Sequence, residues 1–229
     1  MNRVLFQIIG LIISYLFVFL IIGIAYFLQN RGVSEKTTRK IVHIGVGNWI
    51  VLAVFVFYDW YFAIIGPLSF VLLNYLSYRK KIFGKSMELE GEAETPGTVY
   101  YAIALTIVVL FFWLVGGGEM KWVACLGILV MTWGDGMASV FGERWGAVGA
   151  GYTIAGTRKS YIGSLAMLFF AFIALFLIMV AFNVSITDAI YRSAILAVIA
   201  TIVEGITPYG FDNLTVPILT SFIYYFVFV

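Results

Sequence analysis

Eight long apolar runs determine the environment in which this chain can fold. They cover about residues 4–28, 41–57, 60–78, 99–115, 121–141, 161–182, 188–206 and 214–229. The hydrocarbon core of a bilayer is about 30 Å thick, so a helix that crosses it needs roughly 20 apolar residues. Hydrophobic residues make up 62% of the chain and charged residues only 11%, which excludes an ordinary soluble enzyme. We therefore predict an all-α fold, a polytopic integral membrane bundle of about eight transmembrane helices.

The connections between the runs are short, and the sequence has no internal repeat. We therefore expect a single transmembrane domain over residues 1–229. The first run is too long for the apolar core of a signal peptide and no small-residue cleavage site follows it, so we interpret it as a helix of the mature protein. A formal net charge of +2 excludes a conventional nucleic-acid binder. The single cysteine, Cys125, can form no internal disulfide and is expected to be a packing residue.

The basic residues are divided unevenly between the connections. The odd-numbered connections carry most of them: Arg31, Lys36, Arg39, Lys40, Arg79, Lys80, Lys81, Lys85, Arg144, Arg158 and Lys159. The opposite side carries only Arg3, Lys121 and Arg192. The positive-inside rule then predicts that the odd-numbered connections are cytoplasmic and that the N-terminus is outside. In a prokaryote the membrane would be the cell membrane.

Three carboxylates lie in or beside the apolar runs. Asp135 lies inside the fifth run between two glycines, Glu204 near the end of the seventh, and Asp212 just before the eighth. A charge in the hydrocarbon is costly and is usually retained for function, so we predict functional roles for all three. The structural alternatives are a buried ion pair for Asp135 and helix capping for Asp212.

A cationic helical face is predicted at the start of the second run. Arg39 and Lys40 lie four and three residues before His43, so the three side chains share one face of a helix. Such a face suits a polyphosphate, although ordinary positive flanking of a membrane helix is the alternative. His43 is the only histidine, and no cysteine or second histidine lies nearby, which argues against a zinc site.

The fifth connection has the composition of a phosphate-binding segment. Its glycines are Gly142, Gly146, Gly149, Gly151 and Gly156, and Thr157, Arg158, Lys159 and Ser160 follow. Free backbone N–H groups and a helix N-terminus both attract anions, so we predict a phosphate cradle here, although the P-loop pattern is absent. The alternate acids of the third connection, Glu88, Glu90, Glu92 and Glu94, are interpreted as a solvated loop.

These features converge on one side of the membrane. In the orientation set by the basic residues alone, the cytoplasmic ends of the runs carry His43, Thr98, Asp135, Lys159, Glu204 and Asp212. A membrane cavity with carboxylates, cations and a phosphate cradle predicts a nucleotide-dependent enzyme that acts on a membrane lipid.

Several ordered motifs resemble the polyprenol kinase family, which includes phytol, farnesol and dolichol kinases and the CTP-dependent diacylglycerol kinases. The resemblance runs from about residue 36 to the C-terminus. It lies in residues 39–43 (RKIVH), 97–101 (GTVYY), 134–142 (GDGMASVFG), 159–164 (KSYIGS), 200–204 (ATIVE) and 212–217 (DNLTVP).

The resemblance implies phosphoryl transfer from a nucleotide, typically CTP with a divalent metal such as Mg²⁺, to a lipid hydroxyl. Asp135, Glu204 and Asp212 would then share the metal and base roles, with His43 in the catalytic set. The phosphates would contact Arg39, Lys40, Gly142, Thr157, Arg158, Lys159, Ser160 and Asn213.

One departure from the family pattern refines the expected substrate. Dolichol kinases tend to have a Glu before the glycine that Gly163 matches, and this chain has Ile162. The phytol kinase branch also lacks that acid, so the resemblance favours a shorter isoprenoid alcohol, such as phytol or geranylgeraniol, over dolichol. The expected partners are this membrane lipid alcohol, the nucleotide and the bilayer, with no nucleic acid.

Three alternatives stay open from the sequence. A cytidylyltransferase that makes a CDP-lipid would use the same nucleotide. Such enzymes usually carry a Pro–Gly–His–Gly element near the C-terminus, and no histidine follows His43 here. A CTP-dependent diacylglycerol kinase belongs to the same family. A transporter of an anionic solute is less favoured, because transporters often show inverted repeats and this sequence has no internal repeat.

Overall fold

The computed structural model describes residues 2–80, 96–115, 118–146 and 150–229. Eight helical segments follow one another in these ranges. They are α1 (Arg3–Asn30), α2 (Glu35–Gly47 and Trp49–Val56), α3 (Trp60–Ala63 and Ile65–Lys80), α4 (Gly97–Leu114), α5 (Val123–Trp145), α6 (Tyr161–Ala181), α7 (Ile186–Ile206) and α8 (Asp212–Phe228). A short antiparallel hairpin, β1 (Gly151–Ile154) and β2 (Thr157–Ser160), connects α5 to α6.

The helical architecture confirms the predicted all-α membrane bundle. Seven of the described segments, α1 to α7, are long and apolar enough to cross a membrane. The eighth, α8, has 17 residues and is the shortest, as its short apolar run predicted. The second segment extends over 22 residues, because it begins before its apolar run.

The second segment begins earlier than its apolar run because a polar turn precedes the membrane-embedded part. The Ser34 side chain accepts a hydrogen bond from the backbone N–H of Thr37, at 3.2 Å, and caps the helix. Glu35 in the first turn adds a favourable charge at the positive end of the helix dipole. His43 therefore lies well inside α2 and does not begin it, which corrects the sequence prediction.

The helix ends alternate between the two ends of the bundle. Arg3, at the start of α1, forms a 2.6 Å ion pair with Asp59, between α2 and α3. Lys121, just before α5, and Trp113, near the end of α4, both donate at 3.0 Å to the carbonyl of Phe57. These contacts bring one set of helix ends together. Arg3 and Lys121 are among the few basic residues that the sequence analysis assigned to the side opposite the cytoplasm.

Segment α5 is the centre of the bundle. In the most apolar stretch of α5, 72% of the residues are buried, compared with 17–39% in the other six membrane-length segments. Small residues allow this close packing: Gly127 donates its N–H to Ser221 of α8 at 3.1 Å, and Gly134 lies against Met167 of α6. Residues Val130–Asp135 form a single π-helical turn, a widened geometry that is often found at functional sites.

Candidate active site

Three acidic side chains meet at one end of the bundle. Asp135 closes the π-helical turn of α5, Glu204 lies in the last turn of α7, and Asp212 is the first residue of α8. One carboxylate oxygen from each lies within 4.8 Å of the other two. We call Asp135, Glu204 and Asp212 the carboxylate cluster. The fold thus brings together three acids that belong to three different helical segments.

The short turn between α7 and α8 sets the distance between two of these acids. Tyr209 and Gly210 have positive φ angles of 58° and 76°, which reverse the chain within a few residues. Asp212 does not cap α8, because Phe211 holds the capping position. Instead its Oδ1 accepts from the backbone N–H of Asn213 at 3.0 Å, while the Asn213 side chain donates to the carbonyl of Gly210 at 3.2 Å.

Lys159 neutralises part of the carboxylate cluster. Its Nζ donates to Oε1 and to the backbone carbonyl of Glu204, the latter at 3.0 Å, and to Oδ2 of Asp212 at 3.1 Å. Burial lowers the pKa of Lys159, but the nearby Glu204 and Asp212 carboxylates raise it by more, so the net pKa lies above its ordinary value. The side chain is therefore a protonated cation at neutral pH.

The hairpin positions Lys159 over the helix ends. Its two turn residues, Ala155 and Gly156, have φ angles of 46° and 83°, which match the tight turns of β-hairpins. Ser160 ends β2 and caps α6 by accepting from the backbone N–H of Gly163 at 3.0 Å. Tyr152 of β1 shares a 2.8 Å hydrogen bond with Ser164 of α6.

The segment predicted to be a glycine-rich phosphate cradle folds into this hairpin. Gly142 is the seventh residue of the last helical part of α5, where a Cβ atom would lie 3.0 Å from the Ser160 hydroxyl, so it serves close packing. Thr157 and Arg158 pair with Ile154 and Thr153 in the hairpin register, and Arg158 is exposed. Gly149 lies outside the described residues.

His43 lies beside the third acid of the cluster. Its Nε2 is 3.9 Å from Oδ2 of Asp135 and 3.4 Å from the carbonyl of Met131. The ring packs against Tyr101 of α4, with 5.1 Å between ring centroids. The Tyr101 hydroxyl shares a 2.9 Å hydrogen bond with Thr132, on the turn that carries Asp135. The sequence analysis did not predict these contacts of Tyr101 and Thr132, although Tyr101 lies in the motif of residues 97–101.

Lys40 belongs to a separate ion-pair group. Its Nζ lies 2.5 Å from a carboxylate oxygen of Glu143, and Lys36 lies 3.3 Å from the other oxygen. Sequence reasoning missed Glu143. The available signal was the four-residue spacing of Lys36 and Lys40, which places two cations on one face where one acid can reach both. Arg39 is half-buried on the same turn as Lys40.

Part of the third connection was also considered in the sequence analysis. The acids Glu88, Glu90, Glu92 and Glu94, together with Lys81 and Lys85, lie outside the described residues. For Lys80, the structure describes the backbone alone.

The chemistry of the carboxylate cluster fits a divalent cation. Three carboxylates and one lysine give a formal charge of −2, which one divalent ion would balance. Carboxylate oxygens are the hard ligands that Mg²⁺ prefers, and Mg²⁺ usually binds one or two carboxylates together with water and substrate phosphates. Asp135, Glu204 and Asp212 are therefore the residues that could hold it.

The fold and the site define a polytopic membrane protein with a partly buried carboxylate–lysine centre at one end of its helix bundle. No known protein-family model matches the chain, and no solved structure matches it. Curated relatives do match. The phytol kinase of Synechocystis sp. is 34% identical over 195 residues, which cover 82% of this chain and 78% of the relative.

Plant relatives extend the same similarity. Phytol kinase 1, chloroplastic, of Arabidopsis thaliana is 28% identical over 227 residues, covering 91% of this chain and 72% of the relative. The farnesol kinase, chloroplastic, of the same plant is 27% identical over 184 residues, covering 76% of this chain and 57% of the relative. The chain belongs to the polyprenol kinase family, as its ordered motifs predicted.

Proposed function

We propose that this chain is an integral membrane kinase that transfers the terminal phosphoryl group of a nucleotide to the hydroxyl of an isoprenoid alcohol of the phytol type. The observation that carries the proposal is the carboxylate cluster paired with Lys159, at one end of a membrane bundle, in a chain whose relatives are named phytol and farnesol kinases. Residues 1–229 then act as one transmembrane kinase domain, because α2, α5, β2, α7 and α8 all contribute side chains.

The phosphate donor is proposed to be CTP bound with a divalent cation, Mg²⁺ by preference. Asp135, Glu204 and Asp212 would hold the cation, and its chemistry there would be to neutralise charge on the transferred phosphoryl group. Lys159 forms ion pairs with two of these acids, Glu204 and Asp212. Lys40 and Arg39 would meet the outer phosphates from α2. In the proposed orientation this end of the bundle faces the cytoplasm, where nucleotides are available.

The transfer needs an acceptor for one proton. The lipid oxygen forms a bond to the terminal phosphorus while the bond from that phosphorus to the bridging oxygen breaks, and a nucleoside diphosphate leaves. The hydroxyl proton is proposed to pass to Asp135. This acid faces His43, whereas Glu204 and Asp212 accept from Lys159. His43 then positions Asp135 or receives the proton in turn.

The lipid is proposed to enter sideways from the bilayer. The site lies where membrane-length helices end, so the hydroxyl can reach the carboxylate cluster while the isoprenoid tail stays among apolar side chains. The other ends of the helices carry the Arg3–Asp59 and Lys121 contacts and have no equivalent group of acids among the described residues.

The decisive experiment measures product formation by purified protein in detergent. CTP, ATP, GTP and UTP are each supplied with Mg²⁺ and with phytol, geranylgeraniol, farnesol, dolichol or diacylglycerol, and products are identified by mass spectrometry. We expect an isoprenyl monophosphate and CDP. Asp188→Asn is the matched control for acid variants, because Asp188 is an exposed residue in the first turn of α7, sixteen residues and about 24 Å along the helix from Glu204.

Other products would contradict the proposal in distinct ways. A CDP-lipid with release of pyrophosphate would identify a cytidylyltransferase. Phosphatidate as the main product would identify a diacylglycerol kinase. No lipid product with any pair, from protein that melts cooperatively, would reject a kinase function.

A further inference from the structure

We propose that Lys159 is an exchangeable internal counter-ion. Its ammonium occupies the cation position of the carboxylate cluster when metal and nucleotide are absent, and moves to the nucleotide phosphates when the metal enters. This inference rests on the proposed function, and it assigns Lys159 a role in excluding metal that arrives without nucleotide.

The hydrogen bonds of Lys159 resemble the coordination of a bound cation. An ammonium has three donors, and all three have acceptors on two acids of the cluster: the Glu204 carboxylate, the Glu204 backbone carbonyl and the Asp212 carboxylate. The Lys159 side chain is only 17% exposed. The ammonium is therefore fully satisfied at the position where a metal would find its ligands.

A metal would compete for the same atoms. Oxygens of Glu204 and Asp212 that could bind a divalent cation already accept from Lys159. Two cations close to the same oxygens repel each other, and this repulsion is strong where water is scarce. Metal alone should therefore bind weakly. Nucleotide phosphates change this competition, because they offer the Lys159 ammonium new acceptors that are negatively charged, like the carboxylates that it leaves.

The local structure allows the side chain to move while its backbone stays in place. Lys159 lies on β2, outside the membrane helices, and its ammonium is a point charge on a flexible four-carbon stem. Both strands of the hairpin are attached to α6, β2 through the Ser160 cap and β1 through the contact between Tyr152 and Ser164. Rotation of one side chain is then sufficient for the exchange.

The inference predicts opposite effects of one substitution on two ligands. Lys159→Gln keeps a hydrogen-bond donor for Glu204 but removes the positive charge. It should bind Mn²⁺ alone at least about tenfold more tightly than the parent, since a repelling cation is gone. The same variant should bind CTP about tenfold or more weakly, since a charge-assisted phosphate contact is lost. A purely structural lysine would not improve metal binding.

Free Mn²⁺ is measured by electron paramagnetic resonance in titrations of the parent, Lys159→Gln, Lys159→Arg and Asp188→Asn proteins. CTP binding is measured by the shift in detergent melting temperature. Lys159→Arg keeps the charge and Asp188→Asn lies at the other end of α7, so both should bind Mn²⁺ like the parent. If Lys159→Gln folds only when Mn²⁺ is present, the metal has replaced the lysine, which supports the exchange.

Unchanged or weaker Mn²⁺ binding by Lys159→Gln would overturn the inference. The same holds if this variant fails to fold at every Mn²⁺ concentration, because a metal then cannot replace the ammonium. These readouts do not require turnover. A parent protein without kinase activity would reject the proposed function, whereas active parent protein with no gain in Mn²⁺ affinity in the variant would reject the exchange alone.

Discussion

Asp135 differs from the other two members of the carboxylate cluster in its surroundings. Glu204 and Asp212 are buried and accept from Lys159, whereas Asp135 keeps about a quarter of its side chain exposed and faces His43. An acid that is accessible and next to an imidazole is suited to receive a proton. At the scale of single residues, the chemistry of the proposed reaction therefore depends most on Asp135.

Asp135→Asn tests this assignment directly. The substitution keeps the size and one acceptor oxygen but removes the charge. We expect a melting temperature close to that of the parent and a turnover number lower by about 10² or more, the range for loss of general-base help. Melting and specific activity are measured on the same preparation, with Asp188→Asn as control. A stable variant with near-parental turnover would show that Asp135 neither binds metal nor takes a proton.

Glu143→Gln tests whether Lys40 serves the nucleotide. Glu143 holds Lys40 in an ion pair and is 37% exposed, so solvent limits the pair to about 1 kcal/mol or less. Removing the charge frees Lys40 for phosphate, and we expect the KM for nucleotide to fall by up to about fivefold. Initial rates against CTP concentration give the value. Glu119→Gln, an exposed acid between α4 and α5, is the control, and an unchanged KM in both variants would exclude Lys40 from the phosphate site.

The sequence predicted some of these residues and missed others for a physical reason. Asp135 and Glu204 stand out because a carboxylate inside an apolar run has a large desolvation cost. Glu143 gives no such signal, because an acid near a helix end is ordinary. The pairing of Glu143 with Lys40 depends on how α2 packs beside α5, which local sequence does not encode.

At the scale of elements, the β1–β2 hairpin is the largest departure from the sequence prediction. Its strands have only four residues each, too few for a clear alternation of polar and apolar side chains. Glycines in such a segment are equally typical of an open anion-binding loop. The hairpin is defined by its turn and by its attachment to α6, and the second of these is a tertiary contact.

Gly156→Ala tests whether the hairpin turn positions Lys159. Gly156 has a φ angle of 83°, and a Cβ atom there introduces strain of about 1–2 kcal/mol. Gly32→Ala is a matched control, because Gly32 has a φ angle of 89° in the connection between α1 and α2. Both variants should lose similar stability. Only Gly156→Ala should lower kcat/KM, by about threefold to tenfold. An equal loss of activity in both variants would show that the hairpin turn has no specific role in catalysis.

Helices were predicted well in number and less well at their ends. Hydropathy detects the part of a helix that crosses the apolar core, so all eight segments were found. It does not detect polar turns at the membrane surface, such as the first turns of α2 that carry Lys36, Arg39 and Lys40. Those turns carry much of the proposed nucleotide site, which explains why the ends matter for function.

For the whole molecule, the alternation of helix ends links charge to topology. The carboxylate cluster, Lys159 and His43 lie at one end of the bundle, and the contacts of Arg3, Asp59 and Lys121 lie at the other. Among the described residues, the end with the proposed site also carries most of the basic residues. The positive-inside rule and the need for nucleotide therefore predict the same cytoplasmic orientation from independent arguments.

This orientation is tested by two threonine positions that are both exposed. Thr153 lies on β1 at the site end, and Thr187 lies at the start of α7 at the other end. The native Cys125 is fully buried, so the parent protein should react little with a membrane-impermeant maleimide. Thr153→Cys should then be labelled in inverted vesicles and protected in intact cells. Thr187→Cys should show the converse pattern.

Detergent-solubilised samples supply the reference for both variants, because each cysteine should be fully labelled there if the protein is folded and the position accessible. The reverse labelling pattern would place the carboxylate cluster outside the cell, away from cytoplasmic nucleotide. It would contradict the proposed donor even if the helix bundle were correct. Labelling of both positions from the same side would instead contradict the alternation of the helices, because α6 is the one segment between Thr153 and Thr187 and would then not cross the membrane.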